Sequence, residues 1–216
     1  MGTVTEPSYR KRVGYQAMLL GSFSALATVM LVSGDLATHQ EIADRKREDL
    51  LLNLSEVLPA AYYDNDLLQQ PLQIPNAGGA SQLVYRGTQA GAVSALAYER
   101  SGSGYSGEIR ILLGLTADGT ILGVRVLSHS ETPGLGDKIE VARDAWITRF
   151  NGLSLGNPPP EQWKVKKDGG RFDAFSGATI TPRAVVLAIK EGLLFYQQQR
   201  DQLLAVTPVA VTQSGE

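Results

Sequence analysis

Residues 108–127 read EIRILLGLTADGTILGVRVL, and this stretch decides the fold. Apolar side chains recur at every second position through 108–116 and again through 120–127, which is the period of a β-strand with one buried face. Asp118-Gly119 stands between the two segments and is a strong signal for a tight hairpin turn. The sequence therefore predicts two neighbouring antiparallel strands.

Elements on both sides of this hairpin extend it into an antiparallel α+β domain. Two more strands are predicted at Leu83–Tyr85 and Ala92–Tyr98, a helix at Glu140–Phe150, and a long amphipathic helix at Pro182–Leu204. We assign residues 81–205 to this domain and residues 206–216 to a flexible tail.

An uncharged segment near the start of the chain predicts a membrane anchor. It runs from Val13 to Gly34, which at about 1.5 Å per residue suffices to cross a hydrocarbon core of about 30 Å. We interpret residues 13–34 as one transmembrane helix; the alternative is a cleaved signal peptide, which the length of the segment disfavours. Arg10, Lys11 and Arg12 precede the span, and such residues stay in the cytoplasm. Residues 1–12 are therefore expected to be cytoplasmic and the main domain, in a bacterium, to lie on the periplasmic side of the inner membrane.

Residues 35–80 are predicted to form a membrane-proximal helix and a linker. Apolar residues recur at helical spacing between Leu50 and Leu58, and Pro59 ends the run. Prolines and paired glycines in the segment from Gln69 to Ser81 indicate a loop.

Composition excludes several classes of function. The chain has no cysteine, which removes thiolate zinc sites and cysteine-ligated iron–sulfur clusters. It has 2 histidines, which argues against haem and multi-histidine metal sites. The net charge of -2 argues against a nucleic-acid partner, since no excess of cations would neutralise phosphates. Any redox chemistry would therefore need an organic cofactor.

A glycine-rich segment follows the hairpin directly, where residues 128–138 read SHSETPGLGDK. Gly134 and Gly136 allow a backbone to approach a ligand closely, and the acidic, hydroxyl and amino side chains between them offer polar contacts. The segment could line a planar ligand with polar edges. From composition alone, an ordinary Gly-Pro turn is the stronger alternative.

A second segment, residues 173–182, reads DAFSGATITP and leads into the long helix. Thr181 is predicted to be the N-cap and Pro182 the first helical residue. Free N–H groups of the first turn would then lie beside Thr179, an arrangement that suits a phosphate. Gly177 would leave room for it. Taken alone, the pattern is more often only a helix cap.

The remaining candidates have simpler interpretations. His129 lies between two serines, but neighbouring residues of a strand point to opposite faces, so a structural histidine is favoured over a hydrolase. Aromatic residues that could flank a ring system are expected to be core, and neighbouring lysines to form a solvated edge. These two groups are Tyr105, Trp146 and Trp163, and Lys164, Lys166 and Lys167.

Four features in this order resemble the FMN-binding domain family. They are GYSGEI at 104–109, the Asp118-Gly119 hairpin, ETPGLG at 131–136 and DAFSGAT at 173–179. The likeness is greatest to the G subunits of Rnf electron-transport complexes, with the C subunits of sodium-translocating NADH:quinone oxidoreductases sharing the plan. It covers the anchor and nearly all of the α+β domain.

The resemblance implies a cofactor and its site. FMN would be joined by a phosphoester bond to Thr179, attached by a flavin transferase that uses FAD as donor; Thr181 is the second candidate hydroxyl. Ser176, Gly177 and Ala178 match positions beside the phosphate. The segment against the flavin would supply Glu131, Thr132, Leu135, Gly136 and Lys138.

The function that the resemblance implies is electron relay through FMN within a membrane complex that couples redox chemistry to ion translocation. The chain would be a non-autonomous redox subunit, with other subunits and the lipid bilayer as partners. Two alternatives remain open: a membrane-tethered, non-catalytic ligand-binding or scaffold module, and a free-standing flavin-dependent reductase.

Overall fold

The computed structural model describes residues 13–75 and 81–205. The chain divides into two compact units, residues 1–49 and 50–216. The predicted cytoplasmic residues 1–12 and the predicted flexible tail 206–216 lie outside the described residues.

The first unit contains most of helix α1, which runs from Val13 to Val57. Its first part, Val13–Asp35, is apolar and long enough to cross a membrane, and its 23 residues are all exposed. The sequence predicts an apolar span and a separate amphipathic helix, whereas the structure joins the two in one helix. No proline or glycine pair interrupts residues 35–57, so nothing in the sequence stops the helix between them.

The second unit is built on one antiparallel sheet in the described residues, with strand order β1-β2-β3-β4-β5. The strands are β1 (Leu72–Pro75), β2 (Ser81–Gln89), β3 (Ala92–Ser103), β4 (Glu108–Thr116) and β5 (Ile121–Ser128). Each strand pairs with the next one along the chain, so the sheet is a meander. The predicted hairpin at Asp118-Gly119 is confirmed, because β4 pairs with β5 across it.

Both faces of the sheet are covered. Helix α2, which spans Ile180–Leu204, packs against β3 and β4 on one face and buries Val185, Ile189 and Leu193. A smaller apolar cluster covers the other face, and it contains Leu54, Val57, Leu58, Leu67, Tyr85, Ala95, Ala97 and Leu112. The apolar residues at helical spacing between Leu50 and Leu58 therefore form the side of the helix that packs against the sheet.

Two predicted elements are wrong. The segment 69–81, predicted as a loop, contains the edge strand β1, whose Leu72 pairs with Val84 of β2. The helix predicted at 140–150 is instead a short 3-10 helix, Ala145–Phe150. Asp144 has extended backbone angles and its side chain accepts the N–H of Trp146 at 2.8 Å, so the turn begins only after it.

Candidate functional site

A cleft of about 350 Å³ lies where the segment after β5 meets the start of α2. This volume falls within the range of about 300–1,000 Å³ that small-molecule sites occupy. The cleft is lined by Tyr105, Glu131, Thr132, Leu135, Gly136, Gly177, Ala178, Thr179, Ile180 and Thr181. The two segments singled out in the sequence, which lie far apart along the chain, therefore meet at one site.

Thr179 is the N-cap of α2, and the prediction that Thr181 caps the helix is wrong. The helix begins at Ile180, and the carbonyl of Thr179 accepts the N–H of Arg183 at 3.3 Å. The Thr179 side chain makes no capping hydrogen bond. Its hydroxyl is therefore not used in closing the helix and remains available on the wall of the cleft.

The Thr179 hydroxyl has a cationic neighbour. Lys167 Nζ donates a hydrogen bond to Thr179 Oγ1 at 2.8 Å. The sequence predicts only a solvated edge for Lys167. Several lysines lie close together in this part of the chain, and their spacing does not indicate which of them contacts a hydroxyl twelve positions later. The structure adds Lys167 to the site.

Lys167 lies in a short 3-10 helix, Lys166–Asp168. Salt bridges of its first and last residues connect this helix to Asp173 and to α2. Asp168 accepts two hydrogen bonds from Arg183 of α2, at 2.6 and 2.9 Å. Lys166 contacts Asp173 at 2.6 Å, and Arg149 contacts the same carboxylate at 2.7 Å.

These contacts shift the pKa values of both carboxyl groups. The hydrogen bonds from Arg183 and its charge hold the pKa of Asp168 below its ordinary value. The Lys166 hydrogen bond, with the Arg149 charge beside it, lowers the pKa of Asp173 in the same way. Both groups are therefore ionised at neutral pH and keep their partners in place.

Glu131 joins three parts of the site. It is buried, its Oε1 accepts the N–H of Ser106 at 2.9 Å, and its Oε2 accepts the Thr181 hydroxyl. The connection between β3 and β4, the glycine-rich segment and the first turn of α2 are thus linked by one carboxylate. Glu131 lines the cleft, but both of its oxygens accept hydrogen bonds from protein groups, so its contact with FMN stays a prediction and its observed role is to support the site.

His129 holds the start of the glycine-rich segment. Its Nδ1 accepts the N–H of Glu131 at 3.0 Å, and its Nε2 lies 2.7 Å from Glu140 Oε1. Because Nδ1 accepts, the ring hydrogen of the neutral form sits on Nε2 and points to Glu140. These contacts fit the predicted structural role, and no serine hydroxyl is bonded to the ring among the described residues.

Two glycines fit the cleft for different reasons. Gly177 has φ +82°, and a Cβ there would meet only Leu135 at 3.8 Å, so the residue is needed for its backbone angle. At Gly136 a Cβ would come within 2.8 Å of the Glu131 Cβ and 3.0 Å of the Thr181 hydroxyl. Gly136 therefore lets the segment lie close to the start of α2.

The rim of the cleft is apolar and exposed. Tyr105 is 72% exposed, Leu135 45% and Ile180 43%. Trp146 and Trp163 are buried in the core as expected, whereas the expectation of a core position is wrong for Tyr105. Such a rim offers flat, apolar contacts to a ring system.

Two predicted contacts lie outside this lining. Ser176 and Lys138 are both exposed and do not belong to the residues that form the cleft wall. Their roles beside FMN stay predictions. The other seven predicted residues, Glu131, Thr132, Leu135, Gly136, Gly177, Ala178 and Thr179, line the cleft together.

The residues present fit an FMN phosphate and ring. A hydroxyl, a lysine ammonium and the first turn of a 25-residue helix converge at one end of the cleft, which suits an anionic phosphate. Tyr105 and Leu135 offer apolar surface to a ring at its rim. The fit rests on this pairing of a cationic end with an apolar rim.

Comparison with known proteins identifies the family. The model of the FMN-binding domain matches residues 104–194, a range that includes every residue of the cleft lining. A protein of Cereibacter sphaeroides, named as the G subunit of an ion-translocating oxidoreductase complex, is 52% identical over 89% of this chain and 88% of its own length. The chain belongs to the family of these G subunits.

Other members of the family agree with this assignment. The G subunit of Stutzerimonas stutzeri is 50% identical over 89% of this chain and 84% of its own, and that of Vibrio cholerae 40% over 86% and 91%. Among solved structures, the crystal structure of Shewanella oneidensis NqrC is 24% identical, with a TM-score of 0.45 over 70% of this chain and 73% of that one. The G-subunit family and the apolar helix Val13–Asp35 together indicate a membrane-anchored protein with an FMN-binding domain.

Proposed function

We propose that this chain is an electron-transfer subunit of an ion-translocating oxidoreductase complex and that its FMN is joined to Thr179 by a phosphoester bond. The observation that carries the linkage is the position of the Thr179 hydroxyl. It lines the cleft, makes no capping bond, and accepts a hydrogen bond from Lys167. It also lies within the FMN-binding domain that the family match covers.

The attachment is a transfer of FMN from FAD, catalysed by a flavin transferase. The Thr179 oxygen attacks the phosphorus next to riboflavin, the new Oγ–P bond forms, and the bond between the two phosphates of FAD breaks. AMP leaves, and the hydroxyl proton passes to a base of the transferase. The product is a phosphodiester with one negative charge.

The residues of this chain hold the product in place. Lys167, which donates to the Thr179 hydroxyl, would neutralise the phosphodiester, and the first turn of α2 would present its positive end to the same group. Tyr105 and Leu135 are placed to pack against the ring. The bound flavin supplies one-electron and two-electron transfer, and contacts at the ring tune its potential.

In this proposal the apolar helix tethers the α+β domain to the membrane that holds the other subunits. Tethering by the apolar helix raises the effective concentration of the redox partners, so transfer can be fast without tight binding. The positive residues before the span support a periplasmic position of the domain.

The test is flavin attachment to the full-length protein co-expressed with a flavin transferase. We expect the peptide that contains Thr179 to gain the mass of an FMN ester, and Thr179→Ala to abolish both this mass and in-gel flavin fluorescence. Ser130→Ala is the matched control, because it removes an exposed hydroxyl that does not line the cleft and should leave the flavin in place.

Three results would contradict the proposal. A wild-type peptide without added mass defeats the linkage. Flavin that is bound but lost on denaturation favours a reversible ligand-binding module. Rapid reduction of a soluble acceptor by the isolated protein favours a free-standing reductase, since a relay should be nearly idle without its complex.

A further inference from the structure

We infer that Lys167 is the positioning residue of the flavin attachment site. It holds the Thr179 hydroxyl in place for phosphoryl transfer and then neutralises the phosphodiester that forms. The inference rests on the proposed linkage at Thr179 and adds to it the residue that prepares this hydroxyl.

Three cations of this part of the structure are each paired with a carboxylate. Lys166 and Arg149 share the carboxylate of Asp173, and Arg183 is paired with Asp168. Within the described ranges, no carboxylate lies in salt-bridge distance of Lys167. Its contact is the uncharged Thr179 hydroxyl at 2.8 Å, so its positive charge is not cancelled and remains available to an anion.

The backbone carrying Lys167 is fastened at both ends. Val165, just before the 3-10 helix, is fully buried, and its carbonyl accepts the N–H groups of Asp168 and Gly170 at 2.8 and 3.1 Å. Asp168 follows Lys167 directly and accepts two hydrogen bonds from Arg183 in the first turn of α2. The ammonium and the hydroxyl are therefore carried by two elements that are bonded to each other, which limits their relative motion.

The hydrogen bond from Lys167 to Thr179 acts before and during the transfer of FMN to the hydroxyl. The Lys167 ammonium donates a hydrogen bond to Thr179 Oγ1 and so orients the hydroxyl oxygen. The proton of the Thr179 hydroxyl is not used in this hydrogen bond and is free to go to the base of the transferase. As the Oγ–P bond forms and the phosphate–phosphate bond of FAD breaks, the ammonium lies beside the phosphoryl oxygens that carry negative charge. A positive charge that is already in position stabilises the transition state of the transfer more than it stabilises the complex of the two proteins. Its loss should therefore lower kcat more than it raises KM.

The test compares variants of the full-length protein as acceptors for a purified flavin transferase with FAD as donor, followed by intact mass. Lys167→Gln should lower kcat roughly tenfold, the size expected for loss of one charge-assisted hydrogen bond. Its KM for the acceptor protein should stay within about twofold, since one exposed charge contributes little to docking. Lys167→Arg should restore most of the rate.

Lys164→Gln is the matched control. It removes the same charge from the same exposed edge, three positions earlier, and among the described residues the lysine that bonds Thr179 is Lys167, so the variant should behave as the wild type. Thermal unfolding of each variant checks that the fold is kept, which the exposure of Lys167 makes the expected result.

The outcomes separate this inference from the proposed function. An unlabelled wild type overturns both. A labelled wild type with an equal kcat for Lys167→Gln overturns the positioning role alone. A raised KM with unchanged kcat also overturns it, because that result would make Lys167 a docking contact for the transferase.

Discussion

Thr179 and Thr181 have the same side chain two positions apart, yet the structure gives them different tasks. Thr179 lies at the N-cap with its hydroxyl toward the cleft and Lys167. Thr181 is fully buried, and its hydroxyl donates to Glu131. A buried hydroxyl committed to a buried carboxylate is a poor acceptor for a transferase, so the structure favours Thr179.

The two hydroxyls can be separated by Thr181→Val, which keeps the shape of the side chain and removes its donor. We expect flavin to stay on the peptide and on Thr179, while the free energy of unfolding falls by about 1–3 kcal/mol because Glu131 loses a partner. Peptide mass spectrometry and urea unfolding measure the two effects. Loss of the flavin in a folded Thr181→Val protein would favour Thr181 as the acceptor.

The geometry of the site depends on how closely helix α2 lies on the sheet. A Cβ at Gly102 of β3 would come within 2.7 Å of the Ala184 carbonyl in the first turns of α2. We expect Gly102→Ala to lower the free energy of unfolding by about 1–3 kcal/mol, through overpacking, and to slow flavin attachment. Gly156→Ala is the control, since no heavy atom lies within 4 Å of its added Cβ. Equal stability of the two variants would contradict this account.

The salt bridge between Asp168 of the 3-10 helix and Arg183 of α2 should depend on pH. Because Arg183 lowers the pKa of Asp168 below 3.8, this pair stabilises the fold above about pH 3.8 and is lost as the pH falls through the lowered value. NMR titration of the Asp168 carboxyl carbon should give a midpoint below 3.8, and Arg183→Gln should move it upward. A midpoint unaffected by Arg183→Gln would show that the pair does not form in solution.

The elements differ in how well the sequence predicts them. The hairpin of β4 and β5 is visible because its pattern and its turn are both local. The edge strand β1 is not, since its four residues form a strand only through pairing with β2. The helix predicted at 140–150 fails because the capping bond of Asp144 competes with the helical pattern.

The positive residues before the membrane span predict the orientation of the protein in the membrane. We expect a C-terminal alkaline phosphatase fusion to be active and a C-terminal green fluorescent protein fusion to be dark, because residues before the span are positive and stay cytoplasmic. Changing Arg10, Lys11 and Arg12 to glutamate should reduce the phosphatase signal. The opposite pattern in the unchanged protein would place the domain in the cytoplasm.

The apolar helix, the antiparallel α+β domain and the two segments that meet in the cleft can all be predicted from the amino-acid sequence. These features depend on periodicity, turn residues and motifs that lie close together in the chain. Which side chains contact one another is seen only in the folded molecule. Lys167 reaches Thr179, and Glu131 reaches Thr181 across 50 positions, because hydrogen bonds between distant segments depend on where the packed sheet and helix bring them.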